Sequence, residues 1–144
     1  MARETVHCIG ASDAAPEDIW AVAQDFAAPW HPMVRWMEQE PHDDGQIIRR
    51  FAAKGDDAIL REKLTYLSHS DQTLAYTALE GIAGAHSYHA RLKITGANGG
   101  STLTWHADIE AAPARALEIA QGTKLVFDAG IAALHADVLD LIRA

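Results

Sequence analysis

Cysteine is nearly absent: Cys8 is the only one in 144 residues. No internal disulfide can form, and the chain reads as one that folds in a reducing, cytoplasmic setting. Basic residues are also scarce, with 12 Lys and Arg against 20 Asp and Glu and a formal net charge of −8. That balance argues against a nucleic-acid binder and against a polybasic membrane anchor. No run of 18 apolar residues occurs, and the opening MARETVHCIGASDAAPEDIW lacks the apolar stretch of a signal peptide, so no membrane insertion is expected. The GxSxG, GxGxxG and P-loop patterns are missing as well, which leaves no nucleophile elbow and no nucleotide-binding loop. What is present is 49% hydrophobic residues. A chain of this length buries roughly 68–70% of its unfolded surface, enough for one domain over residues 1–144 without a structural metal or disulfide.

The pattern of those residues changes period twice. A short strand is expected over Thr5–Ser12, followed by a helix that opens on Pro16 with Glu17 and Asp18 in its first turn. Ile19, Val22, Ala23 and Phe26 share one face of that helix. Pro29 and Pro32 then bracket Trp30 and His31, leaving room for one further short turn. Six segments with a period near two follow: Val34–Glu40, Gln46–Ala53, Ile59–Ser68, Thr73–Leu79, Ser87–Thr95 and Ser101–Ile109. The turn-forming stretches HDDG, KGDD, SHSD, EGIAGA and NGG separate them. Connections this short imply antiparallel pairing throughout. From Pro113 the helical period returns, with Phe127, Ile131, Leu134, Val138 and Leu141 on one face. Gly122 and Gly130 weaken that helix, so its first half is expected as loop or a separate turn. The fold class is therefore α+β: a curved antiparallel sheet of about seven strands around a long C-terminal helix, with one or two short helices after the first strand.

Hairpin register decides which side chains face the helix. A tight turn at Gly55-Asp56 sets Phe51 against Leu60, Arg49 against Glu62 and Ile47 against Leu64. A one-residue slip would turn the apolar partners outward. An ion pair, Arg49 with Glu62, thus falls on the apolar face. A turn at Asn98-Gly99 sets Leu92 against Trp105, Ala90 against Ala107 and Tyr88 against Ile109. Tyr66 and Tyr76 lie on the same alternation as Glu62 and Leu74 and are expected to point inward. The inner face then holds Arg49, Glu62, Tyr66, Tyr76, Tyr88 and Trp105, with Trp36, Phe127 and Ile131 completing the expected ligand-binding set. An apolar hollow with a few convergent polar groups suits a small molecule. The plainer reading is that Arg49–Glu62 is a structural pair and the tyrosines are core packing.

The segments APEDIWAVAQDFAAPWHPMV, GQIIRRF, LREKLTYLSHSD, LAYTALEG, HSYHARLKI and STLTWHADI resemble the SRPBCC group of START-like, helix-grip proteins, in its polyketide cyclase/dehydrase-like branch. The sharpest markers are Pro16 with Trp20, Trp30-His31-Pro32, Gly45 with Arg49, Glu62 with Leu64, Tyr76, Tyr88 and Trp105. The resemblance implies a deep cavity between sheet and terminal helix that takes apolar or amphipathic small molecules. Arg49, Glu62 and Tyr88 resemble in order the Arg, Glu and Tyr that plant abscisic-acid receptors of this group place in their cavity. AAKGDDA and EGIAGA stand where those receptors carry a gate and a latch, and share neither sequence.

Eight histidines invite a metal reading. His86 and His89 fall on opposite faces of a strand, and His89, His106 and Asp108 form an ordinary wet surface on the outer face, so neither metal nor cofactor is expected. Trp30-His31-Pro32 reads as a rigid corner at the cavity base. Three functions remain open. The first is binding, transport or sensing of a hydrophobic small molecule by a monomer or homodimer. The second is a cyclase or dehydratase in which Glu62 moves a proton and Arg49 stabilises an oxyanion. The third is a protein-interaction module with an incidental cavity.

Overall fold

The computed structural model describes residues 1–143, with side chains through Asp140. Strand β1 (Ala2–Ser12) leads into helix α1 (Pro16–Ala23), and six strands follow: β2 (Val34–Gln39), β3 (Ile48–Ala53), β4 (Leu60–Ser68), β5 (Thr73–Glu80), β6 (Ala85–Ala97) and β7 (Gly100–Ala111). Helix α2 (Pro113–Arg143) closes the chain. All seven strands form one antiparallel sheet in the order β1-β7-β6-β5-β4-β3-β2. The chain crosses from one sheet edge to the other through α1 and the segment after it. This is the helix-grip arrangement expected from the alternation of periods.

Both hairpin registers stand as read from the sequence. Arg49 pairs with Glu62 and Phe51 with Leu60, while the Leu64 amide donates to the Ile47 carbonyl at 2.8 Å. The turn between β3 and β4 is longer than a two-residue hairpin, because the last pair of the ladder is Phe51 with Leu60. Apolar partners held the register where the turn did not. In the β6–β7 hairpin, Leu92 faces Trp105, Ala90 faces Ala107 and Tyr88 faces Ile109. Its two turn residues, Asn98 and Gly99, have φ of 50° and 82°, the pair of positive values that a type I′ turn demands.

α1 ends earlier than its apolar face suggests, with the Gln24 amide capping the Trp20 carbonyl at 2.8 Å. Phe26, past the helix end, is nevertheless buried with Ile19, Trp20 and Ala23. α2 differs more from expectation. It runs unbroken for 31 residues through Gly122 and Gly130, a length of about 46 Å. Tertiary contact explains why. A Cβ on Gly130 would lie 2.6 Å from the Trp105 ring and 2.9 Å from His31, and one on Gly10 of β1 would collide with Ile131. These two glycines let the C-terminal half of α2 settle onto β1 and β7. Ile131, Leu134 and Val138 are buried there; Leu141, on the same predicted face, lies outside the described side chains. At Gly122 a Cβ would meet nothing within 4 Å. The N-terminal half of α2 buries Ala116, Ile119, Ala120 and Thr123, yet between it and the β2–β5 side of the sheet a space is left open.

Candidate functional site

That space is a cavity of about 450 Å³ between α2 and the β2–β5 side of the sheet. Its floor and walls are mostly apolar: Val34 and Met37 from β2, Phe51 and Ala53 from β3, Leu60 from β4, Trp105 from β7, and Ile119, Val126 and Phe127 from α2. Trp105 stacks on Phe127, with ring centroids 4.5 Å apart and planes 8° from parallel. Met33 and Leu125 also line it and are 39% and 68% exposed, which marks the mouth.

One polar cluster interrupts this surface. Arg49 Nε donates to Glu62 Oε1 at 2.8 Å, Nη2 lies 2.6 Å from the same oxygen as an ion-pair contact, and Nη1 donates to the Phe26 carbonyl at 2.8 Å. The guanidinium carbon also lies 4.0 Å from the Phe26 ring centroid and 4.7 Å from that of Tyr76, a cation–π arrangement on two sides. Glu62 is only 6% exposed. Next to the pair, the Trp105 indole donates to the Tyr76 hydroxyl at 3.1 Å, and the Tyr88 hydroxyl donates to Thr123 Oγ1 at 3.2 Å. Burial pushes both phenols upward from their ordinary pKa, so they are neutral hydrogen-bonding groups.

Six of the nine residues expected in the ligand-binding set line this cavity: Arg49, Glu62, Tyr76, Tyr88, Trp105 and Phe127. Three do not. Tyr66 is 46% exposed and donates to Asp71 at 2.9 Å. A bulge between Leu64 and Tyr66 in the β4–β5 ladder shifts the alternation by one, so Tyr66 pairs with Ala75 on the convex side while Leu64 stays with Tyr76. Trp36 is turned out by the same device. A bulge between Val34 and Trp36 sets it opposite Ala52, whereas Val34 and Met37 face Ala53 and Phe51. Ile131 is buried, yet it packs down on Gly10, one turn beyond the cavity.

The sequence reading missed much of the helix wall. Arg115, Glu118, Ile119, Gly122, Thr123 and Val126 line the cavity, and the four-residue steps running back from Phe127 through Thr123 and Ile119 were the available signal. His31 does act as a corner. Its Nε2 donates to the Val126 carbonyl at 2.8 Å and its Nδ1 accepts the Met33 amide at 3.1 Å, which assigns the neutral ring with the proton on Nε2. Burial, with the nearby Arg49 charge adding to it, lowers its pKa below 6.5, against the pull of the Val126 carbonyl. The folded chain therefore refuses a proton that the unfolded chain accepts, so stability is lost as pH falls below about 6.5. In urea titrations at about pH 7 and about pH 5, His31→Gln is expected to show a smaller loss on acidification than the parent; an unchanged loss would place the sensitivity elsewhere.

Cys8 is 4% exposed and burial raises its thiol pKa, the opposite of an activated nucleophile. Among the described residues no three His, Cys, Asp or Glu side chains gather as metal ligands, and no helix is long and apolar enough to cross a membrane.

The same architecture occurs in solved proteins. The aromatase/cyclase Zhui from Streptomyces sp. R1128 superposes with a TM-score of 0.79 at 16% identity, over 99% of this chain and 98% of that one. A Thermobifida fusca protein gives 0.80 at 25% identity, over 93% and 92%, and a Nitrosospira multiformis protein gives 0.80 at 18%, over 98% and 100%. A search of curated protein sequences returned no match. The family model described as polyketide cyclase/dehydrase and lipid transport matches residues 10–138. With that match running from β1 deep into α2, and the helix-grip fold around it, the chain belongs to the polyketide cyclase/dehydrase and lipid transport family.

Proposed function

We propose that the protein binds a hydrophobic or amphipathic small molecule in the cavity beneath α2, as a carrier or sensor. The observation that carries this is a hollow of about 450 Å³, lined mostly by aliphatic and aromatic side chains around one buried ion pair. Small-molecule sites fall in the range of roughly 300–1,000 Å³ with this mixture of groups, whereas voids of this size are rare in an ordinary core. The family's lipid-transport members and the cyclase among the structural neighbours support a cavity put to use. Carriage is favoured over cyclisation by the state of Arg49: its charge is already balanced by Glu62 at 2.6 Å and its Nε and Nη1 donate to protein acceptors, so little positive potential is left for a developing oxyanion.

The test is a neutral fluorescent probe, N-phenylnaphthylamine, titrated against the protein. Binding should raise the probe's emission and the protein's Tm; at about 100 times Kd, linkage supplies about 2.7 kcal/mol. Ala53 points inward between Phe51 and the cavity mouth, opposite Val34. Ala53→Phe should fill the hollow and reduce probe affinity at least about tenfold, a loss of about 1.4 kcal/mol, while the fold persists. A parent protein that takes up no probe, or a filled variant that binds as well as the parent, would remove the cavity from the function.

A further inference from the structure

We infer that the ligand's buried polar group is an uncharged hydrogen-bond donor, an alcohol or phenol, and that a carboxylate end is turned away. This rests on the cavity being the binding site and follows from which polar atoms are still free there. Arg49 looks like an anion receptor, but its charge is already balanced: Nε donates to Glu62 Oε1, Nη2 lies 2.6 Å from that oxygen, Nη1 donates to the Phe26 carbonyl, and aromatic rings lie against the cation. Glu62 is engaged on one side only. Both contacts from Arg49 end on Oε1, and Oε2 receives no donor among the described residues. Nor is Oε2 sealed in the protein, since no buried side-chain oxygen or nitrogen lacks a partner. For a residue this buried that lines the cavity, the open side is the cavity itself.

The tyrosines divide in the same way. The Tyr88 proton is used on Thr123. The Tyr76 hydroxyl accepts from Trp105, and its own proton has no acceptor among the described residues. The polar end of the cavity therefore offers one anionic acceptor, Glu62 Oε2, and one phenolic donor, Tyr76 Oη. A ligand hydroxyl satisfies both, donating to the first and accepting from the second. A ligand carboxylate cannot use the first; it can accept from Tyr76 or from an Arg49 whose charge Glu62 already balances, and it brings a like charge toward Oε2 after losing its water. The ion pair is neutral as a unit, so no net positive charge is left to compensate.

The experiment compares para-hexylphenol, para-hexylbenzoate and hexylbenzene at about pH 7.5, where the phenol is neutral and the benzoate ionised. Quenching of tryptophan emission reports binding, since Trp30 and Trp105 line the cavity. The phenol should bind about tenfold or more tightly than the benzoate, and more tightly than the hydrocarbon, as expected for a hydrogen bond to a charged acceptor. Glu62→Gln removes the negative charge and should narrow the gap between phenol and benzoate. A benzoate that binds as well as the phenol, or a phenol no better than hexylbenzene, overturns the donor rule while leaving the cavity as the site. If none of the three binds, both readings fall. Should Glu62→Gln fail to fold, the comparison on the parent protein decides.

Discussion

Arg49→Met and Glu62→Leu are each expected to lower the free energy of unfolding by about 3–5 kcal/mol, while the double variant regains most of that loss. The asymmetry follows from burial. The side chains are 13% and 8% exposed, so each charge has given up most of its water and relies on its partner. Removing Glu62 leaves a guanidinium with one carbonyl and two aromatic faces; removing Arg49 leaves a carboxylate with no donor for Oε1. Replacing both trades two desolvated charges for apolar contact, which in buried pairs is often neutral or stabilising. Urea unfolding of the four proteins gives the coupling directly. Single variants within about 1 kcal/mol of the parent would mean that cavity water solvates the pair as it does a surface bridge.

Trp105→Ala should be the most damaging apolar truncation in the site, at about 3–5 kcal/mol. The indole lies 4% exposed, stacks on Phe127, donates to Tyr76 and fills the space that Gly130 leaves on α2. Alanine removes all of these together, and α2 cannot descend to close the gap because Gly10 and Gly130 already bring it into contact with its neighbours. For a chain of this length the change corresponds to a Tm lower by roughly 10 °C. Thermal unfolding followed by circular dichroism checks it, and a drop of only a few degrees would show that the cavity collapses around the missing ring.

The ion pair shows how far the sequence could be read. Its placement rested on pairing Phe51 with Leu60 across a hairpin, and the ladder has that pairing although the loop between the strands is longer than a tight turn. Register survives such an error because slipping by one residue exposes every apolar side chain on the strand. Trp36 and Tyr66 failed for a complementary reason. Alternation is counted from one end of a strand, and a single extra residue in the ladder reverses everything beyond it. Both bulges lie on the β2–β5 side that curves around the cavity, where a bent sheet accommodates them, and no local composition announces them.

α2 teaches the same lesson from the other side. By propensity Gly122 and Gly130 should have broken it, yet packing outweighs about 1 kcal/mol per glycine. The order of elements, their antiparallel pairing and the meeting of Arg49 with Glu62 were set by periodicity and apolar partnership, which are local along the chain. Where the helix touches the sheet, where it stands clear, and which aromatics turn away from the hollow were decided only in three dimensions. Bulges and glycine contacts are settled by the fit between distant surfaces, and that fit exists only after the chain has folded.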